Sequence, residues 1–174
     1  MMAEIYVLDT NALIQAKRQF YPFDVCPGYW KAVLWHRAKQ TIVTVDRVRD
    51  EIERGGDDLW DWVKSSYGVE RFASTDAPAV IQRYAEMVAW VHAQPQFKAA
   101  AKEEFAHEEE ADGWVAAYAK ATRGGVVVTL EAFSPDAQKR VPLPNVCRAF
   151  DLEWITPFEM LRRLRVKLDW EEPV

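Results

Sequence analysis

Apolar residues fall along the chain in two rhythms. Ile5-Tyr6-Val7-Leu8 is a continuous apolar run with β-branched and aromatic members, broken at once by Asp9-Thr10-Asn11. Such a run predicts a buried strand ending in a polar loop. Thr41 to Val45 and Val126 to Thr129 repeat the pattern, and Leu152 to Ile155, before Thr156-Pro157, is a weaker fourth case. Strands apolar on both sides belong to a sheet covered on both faces. Between them the period changes to that of a helix. Trp30 to Gln40 puts Trp30, Val33, Leu34 and Ala38 on one face, and Arg47 to Arg54 carries Val48 and Ile52 and stops at Gly55-Gly56. Pro78 to Trp90 follows Asp76, a residue suited to cap it. The Ala-rich, Pro-free stretch Lys98 to Thr122 reads as one long helix ending at Gly124-Gly125. A last helix begins at Thr156-Pro157 and runs on through Leu168. Strands alternating with helices predict an α/β fold around a mostly parallel sheet.

Length and composition narrow the class. At 174 residues, 49% of them hydrophobic, the chain is sized for a single domain over 1–174 that buries its own core. Its two cysteines, Cys26 and Cys147, form no Cys-x-x-Cys pair, so both are expected as reduced, packed thiols. Glu4 and Asp9 sit where a secretory leader would need an apolar run, and no apolar stretch approaches the ~18 residues of a membrane span. A cytoplasmic protein with no membrane partner is expected. The net charge of -5 repels polyanions overall, so contact with nucleic acid has to be local.

Four carboxylates stand in or beside apolar segments, where an unpaired charge is costly. Asp9 and Glu131 follow strands, at the carboxyl ends where open α/β sheets take their ligands. Glu51 lies between Val48 and Ile52, and Asp112 precedes Val115, Ala116 and Ala119 on a helix. Each has a plain reading of its own. Asp9 can cap a helix, Glu51 can pair with Arg47 or Arg54, Asp112 can extend the acidic run Glu108-Glu109-Glu110, and Glu131 can be a loop acid. Taken together, carboxylates at two strand ends and on two helices converge on one crevice, where mutual repulsion calls for a cation. A hard divalent ion with oxygen ligands, Mg²⁺ or Mn²⁺, answers that need.

The segment Tyr6-Val7-Leu8-Asp9-Thr10-Asn11-Ala12-Leu13-Ile14 resembles the first motif of PIN-domain proteins, metal-dependent nucleases that include the VapC-type toxins of toxin–antitoxin pairs. Val45 to Ile52 is similar to the family's second acidic segment, Ala111 to Ala119 to its third, and Val127 to Glu131 to its fourth. Pro144-Asn145-Val146-Cys147 resembles the ending of a less-studied PIN-like branch. The resemblance implies a three-layer α/β/α fold. It also implies a Mg²⁺- or Mn²⁺-dependent site of Asp9, Glu51, Asp112 and Glu131, acting as catalytic acids and metal ligands and supported by Thr10, Asn11 and Thr129. The substrate it implies is RNA. The partner would be a cognate antitoxin protein, and a homodimer is compatible. The chain departs from the pattern in carrying Glu131 where many PIN domains have Asp, and in a helical, Trp-rich insertion around 57–96.

Lys17, Arg18, Arg47, Arg49, Arg123, Lys139 and Arg140 are the basic residues placed to meet phosphates. His36, His92 and His107 share no ligand spacing, and neither Gly pair belongs to a nucleotide fingerprint. Two other readings stay open: a catalytically silent PIN-like module that binds protein, and a structure-specific nuclease directed at DNA. No residue in the sequence reads the 2′-hydroxyl that separates RNA from DNA.

Overall fold

The four apolar runs form one parallel sheet in the computed structural model, which describes residues 3–169. Strand β1 spans Ile5–Leu8, β2 Ile42–Val43, β3 Gly125–Val128 and β4 Trp154–Ile155, in the order β2-β1-β3-β4. The register pairs Tyr6 with Ile42, Leu8 with Val128, and Val128 with Ile155. All carboxyl ends therefore lie on one edge. The chain leaves β1 toward β2 on one side and later returns to β3 on the other, so β1 and β3 flank the point where such sheets bind ligands. Tyr6, Val7, Leu8 and Val126 to Val128 are all buried, as strands covered on both faces require.

Nine helices flank the sheet among the described residues: α1 Thr10–Gln15, α2 Pro27–Ala38, α3 Asp46–Gly55, α4 Asp58–Trp62, α5 Pro78–Ala93, α6 Ala99–Phe105, α7 Ala111–Ala121, α8 Leu143–Ala149 and α9 Pro157–Arg163. The fold is a three-layer α/β/α arrangement. Gly56 closes α3 at φ +59°, where a residue with a Cβ would be strained. Thr156 caps α9 by accepting from the Glu159 N–H at 3.2 Å.

Three expectations are corrected. The stretch 98–122 is two helices, α6 and α7, separated by a turn. Ala favours helix locally, but tertiary donors take over the backbone at the break: Arg47 donates to the Glu108 carbonyl at 3.2 Å and Arg54 to that of Glu109 at 2.8 Å. The last helix ends at Arg163, because Arg165 adopts φ +55°, and Leu168 lies beyond it, 40% exposed. Ala77, not Asp76, holds the capping position of α5. In the 57–96 insertion, α4 runs into a π-helical turn over 63–67 before α5. Its tryptophans, Trp60, Trp62 and Trp90, pack against the core. The well-exposed tryptophan is Trp35, on α2, while Trp170 lies outside the described residues.

Helix α7 carries Asp112, and Gly113 lets it seat closely on its neighbours. A Cβ at Gly113 would stand 2.8 Å from the Tyr84 ring and 3.1 Å from the Phe105 ring. Tyr84 is itself stacked on Trp114 at 3.7 Å and has nowhere to retreat. Gly113→Val should therefore cost about 1–3 kcal/mol by overpacking. The check is a lower denaturant midpoint with an unchanged m-value.

Candidate active site

Asp9 sits at the first turn of α1, directly after β1, and is buried. Its carboxylate makes no capping hydrogen bond, so the cap reading does not describe it. Instead Oδ2 accepts from the Thr129 hydroxyl at 2.9 Å, across the β1–β3 pair. Thr129 Oγ1 also accepts from Asn11 Nδ2 at 3.3 Å and from the Glu131 N–H at 3.1 Å. Asn11 Oδ1 accepts from the Leu130 N–H at 3.1 Å. Asn11 and Thr129 thus knit the exits of β1 and β3 together around Asp9.

Glu51 reaches the same place from α3. It pairs with neither Arg47 nor Arg54; its Oε2 accepts from the Thr10 hydroxyl and its Oε1 from the Ala111 N–H, the latter at 2.8 Å. That second bond occupies a backbone donor at the start of α7, which no partner within the helix can satisfy. It ties α1, α3 and α7 into one frame. The break before α7 now has a consequence: Asp112 falls in the first turn of α7, where the helix dipole favours negative charge, rather than in mid-helix. Glu131 closes the fourth side. Its Oε2 accepts from the Leu143 N–H at 2.8 Å, and its Oε1 is paired with Arg140. Arg140 also lies 3.8 Å from Asp112.

A cavity of about 270 Å³ brings the four acids together with Thr10, Asn11 and Arg140. Glu110 lines it as well. Sequence reasoning folded Glu110 into an acidic run on a continuous helix; the signal it lacked was the helix start at Ala111. Five acids and one arginine give the lining a formal charge of -4 when all are ionised. Burial, then the charges of Glu131 and Glu51, raises the Asp9 pKa to about 7 against the Thr129 bond that lowers it. Burial, then Asp9 and Glu131, pushes Asp112 well above the usual carboxylate range, and Arg140 offsets only part of this. Beneath them the buried Cys147 thiol of α8 is raised by burial and by Asp9 and Asp112, which keeps it neutral.

Among the described residues no three His, Cys, Asp or Glu side chains already converge as a finished ligand set. The reason lies in the donors: Glu51 and Glu131 each spend both oxygens on protein partners, whereas Asp112 has only the distant guanidinium of Arg140. The ligands left for a hard divalent cation are the oxygens of Asp9 and Asp112. Asp9 and Asp112 would hold it, with Glu51 and Glu131 adding charge and fixing the frame.

The basic residues divide. Arg140 lines the cavity and Lys139 lies beside it, exposed, on the same loop. Asn145 holds that loop by accepting from the Ser134 N–H at 3.0 Å and donating to its carbonyl at 2.7 Å. Lys17 pairs with Asp57 at 2.9 Å and with Asp58, and Arg18 stands 3.8 Å from Asp57. Arg49 pairs with Asp50, and Arg47 lies over the Trp114 ring at 4.8 Å. None of these four lines the cavity, nor does Arg123.

Residues 6–168 match the family described as "Domain of unknown function (DUF4411)". The chain belongs to the DUF4411 family. Its match takes in all five carboxylates of the cavity and the loop that carries Arg140. No curated protein and no solved structure matches this DUF4411 chain. Among its described residues no helix is long and apolar enough to cross a membrane.

Proposed function

We propose that the protein is a PIN-like, divalent-metal-dependent nuclease that hydrolyses phosphodiester bonds in RNA, the toxin of a toxin–antitoxin pair. The observation that carries the chemistry is the pair Asp9 and Asp112. Delivered by a strand end and a helix start, they face one cavity with three further acids and a single arginine. A purely structural site would not gather that much uncompensated charge, since each added carboxylate raises the cost of the others. The choice of RNA, and of an antitoxin as partner, rests on the resemblance of the four acidic segments to PIN domains.

Each residue has a task in this reading. Mg²⁺ or Mn²⁺, when bound, would supply Lewis acidity toward a phosphate oxygen and acidify a water. Asp9 and Asp112 hold the ion. Thr129 and Asn11 keep Asp9 oriented, and Thr10 and Glu51 keep the start of α7, hence Asp112, in place. Glu131 anchors Arg140, whose largely exposed guanidinium can turn from carboxylates to a substrate phosphate. Lys139 extends that basic rim outward, which lets a chain of net charge -5 meet a polyanion locally.

The test is cleavage of an end-labelled single-stranded RNA by the full chain with Mg²⁺, with Mn²⁺ and with chelator. Cleavage should require the ion, and Asp112→Asn should slow it by about 10²–10³-fold, the loss typical of one strong electrostatic contact to a transition state. Cleavage indifferent to chelator and to Asp112→Asn would overturn the reading.

A further inference from the structure

A second cavity, of about 290 Å³, opens at the other end of the sheet. Ile5 enters it from the amino end of β1, and Ile42 and Val43 from β2. Tyr118 and Thr122 reach it from the carboxyl end of α7, the helix whose opposite end holds Asp112. Its charge is the reverse of the acidic site. Arg37 and Arg71 line it, and no carboxylate does. In a protein of net charge -5, two arginines line one hollow whose wall carries no acid, although Arg71 is paired with Glu70.

The two arginines are not spent on each other's neighbours in the same way. Arg71 pairs through Nε with Glu70 at 3.2 Å and is 62% exposed. Arg37 lies over the Tyr67 ring at 5.2 Å, and its Nε–H is buried with no hydrogen-bond partner. Arg37 is only half-buried as a whole, but a buried N–H donor in a native structure ordinarily has a partner, and this one has none. The remaining lining is apolar from Ile5, Ile42, Val43 and Ala73, hydroxylic from Tyr118 and Thr122, and carries one amide, the exposed Gln40. Ligand pockets combine such an apolar wall with a few convergent polar groups, and this one is at the small end of their range.

We infer that this cavity binds a small phosphate monoester, its dianion taken by Arg37 and Arg71 and its apolar body lying against Ile5, Ile42 and Val43. Two guanidinium forks match the charge and the several acceptor oxygens of one phosphate better than those of one carboxylate. The site is separate from the acidic cavity and does not depend on the nuclease reading.

The test is calorimetric titration of the full chain with phenyl phosphate in the presence of chelator, with inorganic phosphate and benzoate as comparators. Phenyl phosphate should bind saturably with a Kd below about 1 mM. Arg71→Gln and Arg37→Gln should each weaken it about tenfold, as loss of one charge-assisted bond does. Because Arg71 is mostly exposed, its variant will fold even if the Arg37 variant does not, and melting curves check both. Asp112→Asn should leave the titration unchanged, so failure here is distinct from failure of the nuclease reading. Four results overturn the site: no saturable heat, equal binding by Arg71→Gln, benzoate binding as tightly as phenyl phosphate, or inorganic phosphate doing so.

Discussion

Asp9→Asn should raise the melting temperature of the metal-free protein while abolishing ion-dependent cleavage. The two effects share one cause. Asp9 is buried among Glu51, Asp112 and Glu131, and its pKa is raised to about 7, so at pH 8 it is ionised at the expense of the fold. A rise from 3.8 to about 7 corresponds to as much as about 4 kcal/mol at 1.36 kcal/mol per unit. Asparagine removes the charge yet keeps an oxygen for the Thr129 hydroxyl, so the knit between β1 and β3 survives. For a chain of this length each kcal/mol shifts the melting temperature by roughly 2–4 °C. The same variant should lose the thermal shift that Mg²⁺ confers on the wild type. At ten times its Kd that shift is worth about 1.4 kcal/mol. If Asp9 were only a cap, asparagine would be an equally good one, and stability, ion response and cleavage would all stay at wild-type levels. That triple null is the outcome that removes Asp9 from the site.

The parts legible in the sequence are those where local pattern and tertiary role coincide. Ile5 to Leu8 is apolar at every position because both faces of β1 are covered, so its strand and the polar break at Asp9 could be read directly. The same holds for Val126 to Val128 and the exit at Thr129. Because β1 and β3 are parallel neighbours, reading two strand ends was enough to bring Asp9 and Glu131 together. Glu51 was legible only as an acid near a buried stripe; its actual partners, Thr10 and Ala111, lie 41 and 60 residues away and leave no local trace. The break between α6 and α7 failed for the same reason. Nothing in Ala106 to Glu110 forbids a helix; Arg47, Arg54 and Glu51 impose the turn from across the fold. Helix α8 was read only as a motif, because Pro142 and Pro144 bracket its start and its buried residues, Leu143 to Cys147, are apolar on nearly every side. Three of the seven basic residues chosen for phosphate, Lys17, Arg18 and Arg49, are paired with nearby acids, which composition and spacing do not reveal.

Metal-free protein should also gain stability as the solution is acidified from pH 8 toward pH 5, the reverse of ordinary acid denaturation. A carboxyl whose pKa is higher folded than unfolded favours the folded state when protonated. The penalty is full above the folded value of about 7, shrinks as pH falls through it, and is gone below the unfolded value of 3.8. Asp112 shifts in the same direction and adds to the slope. The groups facing this pair are Glu51 on α3, Glu110 just before α7, Glu131 after β3, Arg140 on the following loop and Cys147 on α8, and of these only Arg140 opposes the shift. Below about pH 4 the trend should turn over, because Asp57, held low by Lys17 and the Leu59 N–H despite some burial, contributes stability that protonation removes. Saturating Mg²⁺ should flatten the upper part of the curve, since an ion held by Asp9 and Asp112 replaces the protons they would otherwise take up. Denaturant midpoints measured from pH 4 to 8, with and without the ion, check this. A metal-free curve that rises steadily with pH across that range would mean that Asp9 and Asp112 carry no shared penalty, and the electrostatic case for a cation between them would fall.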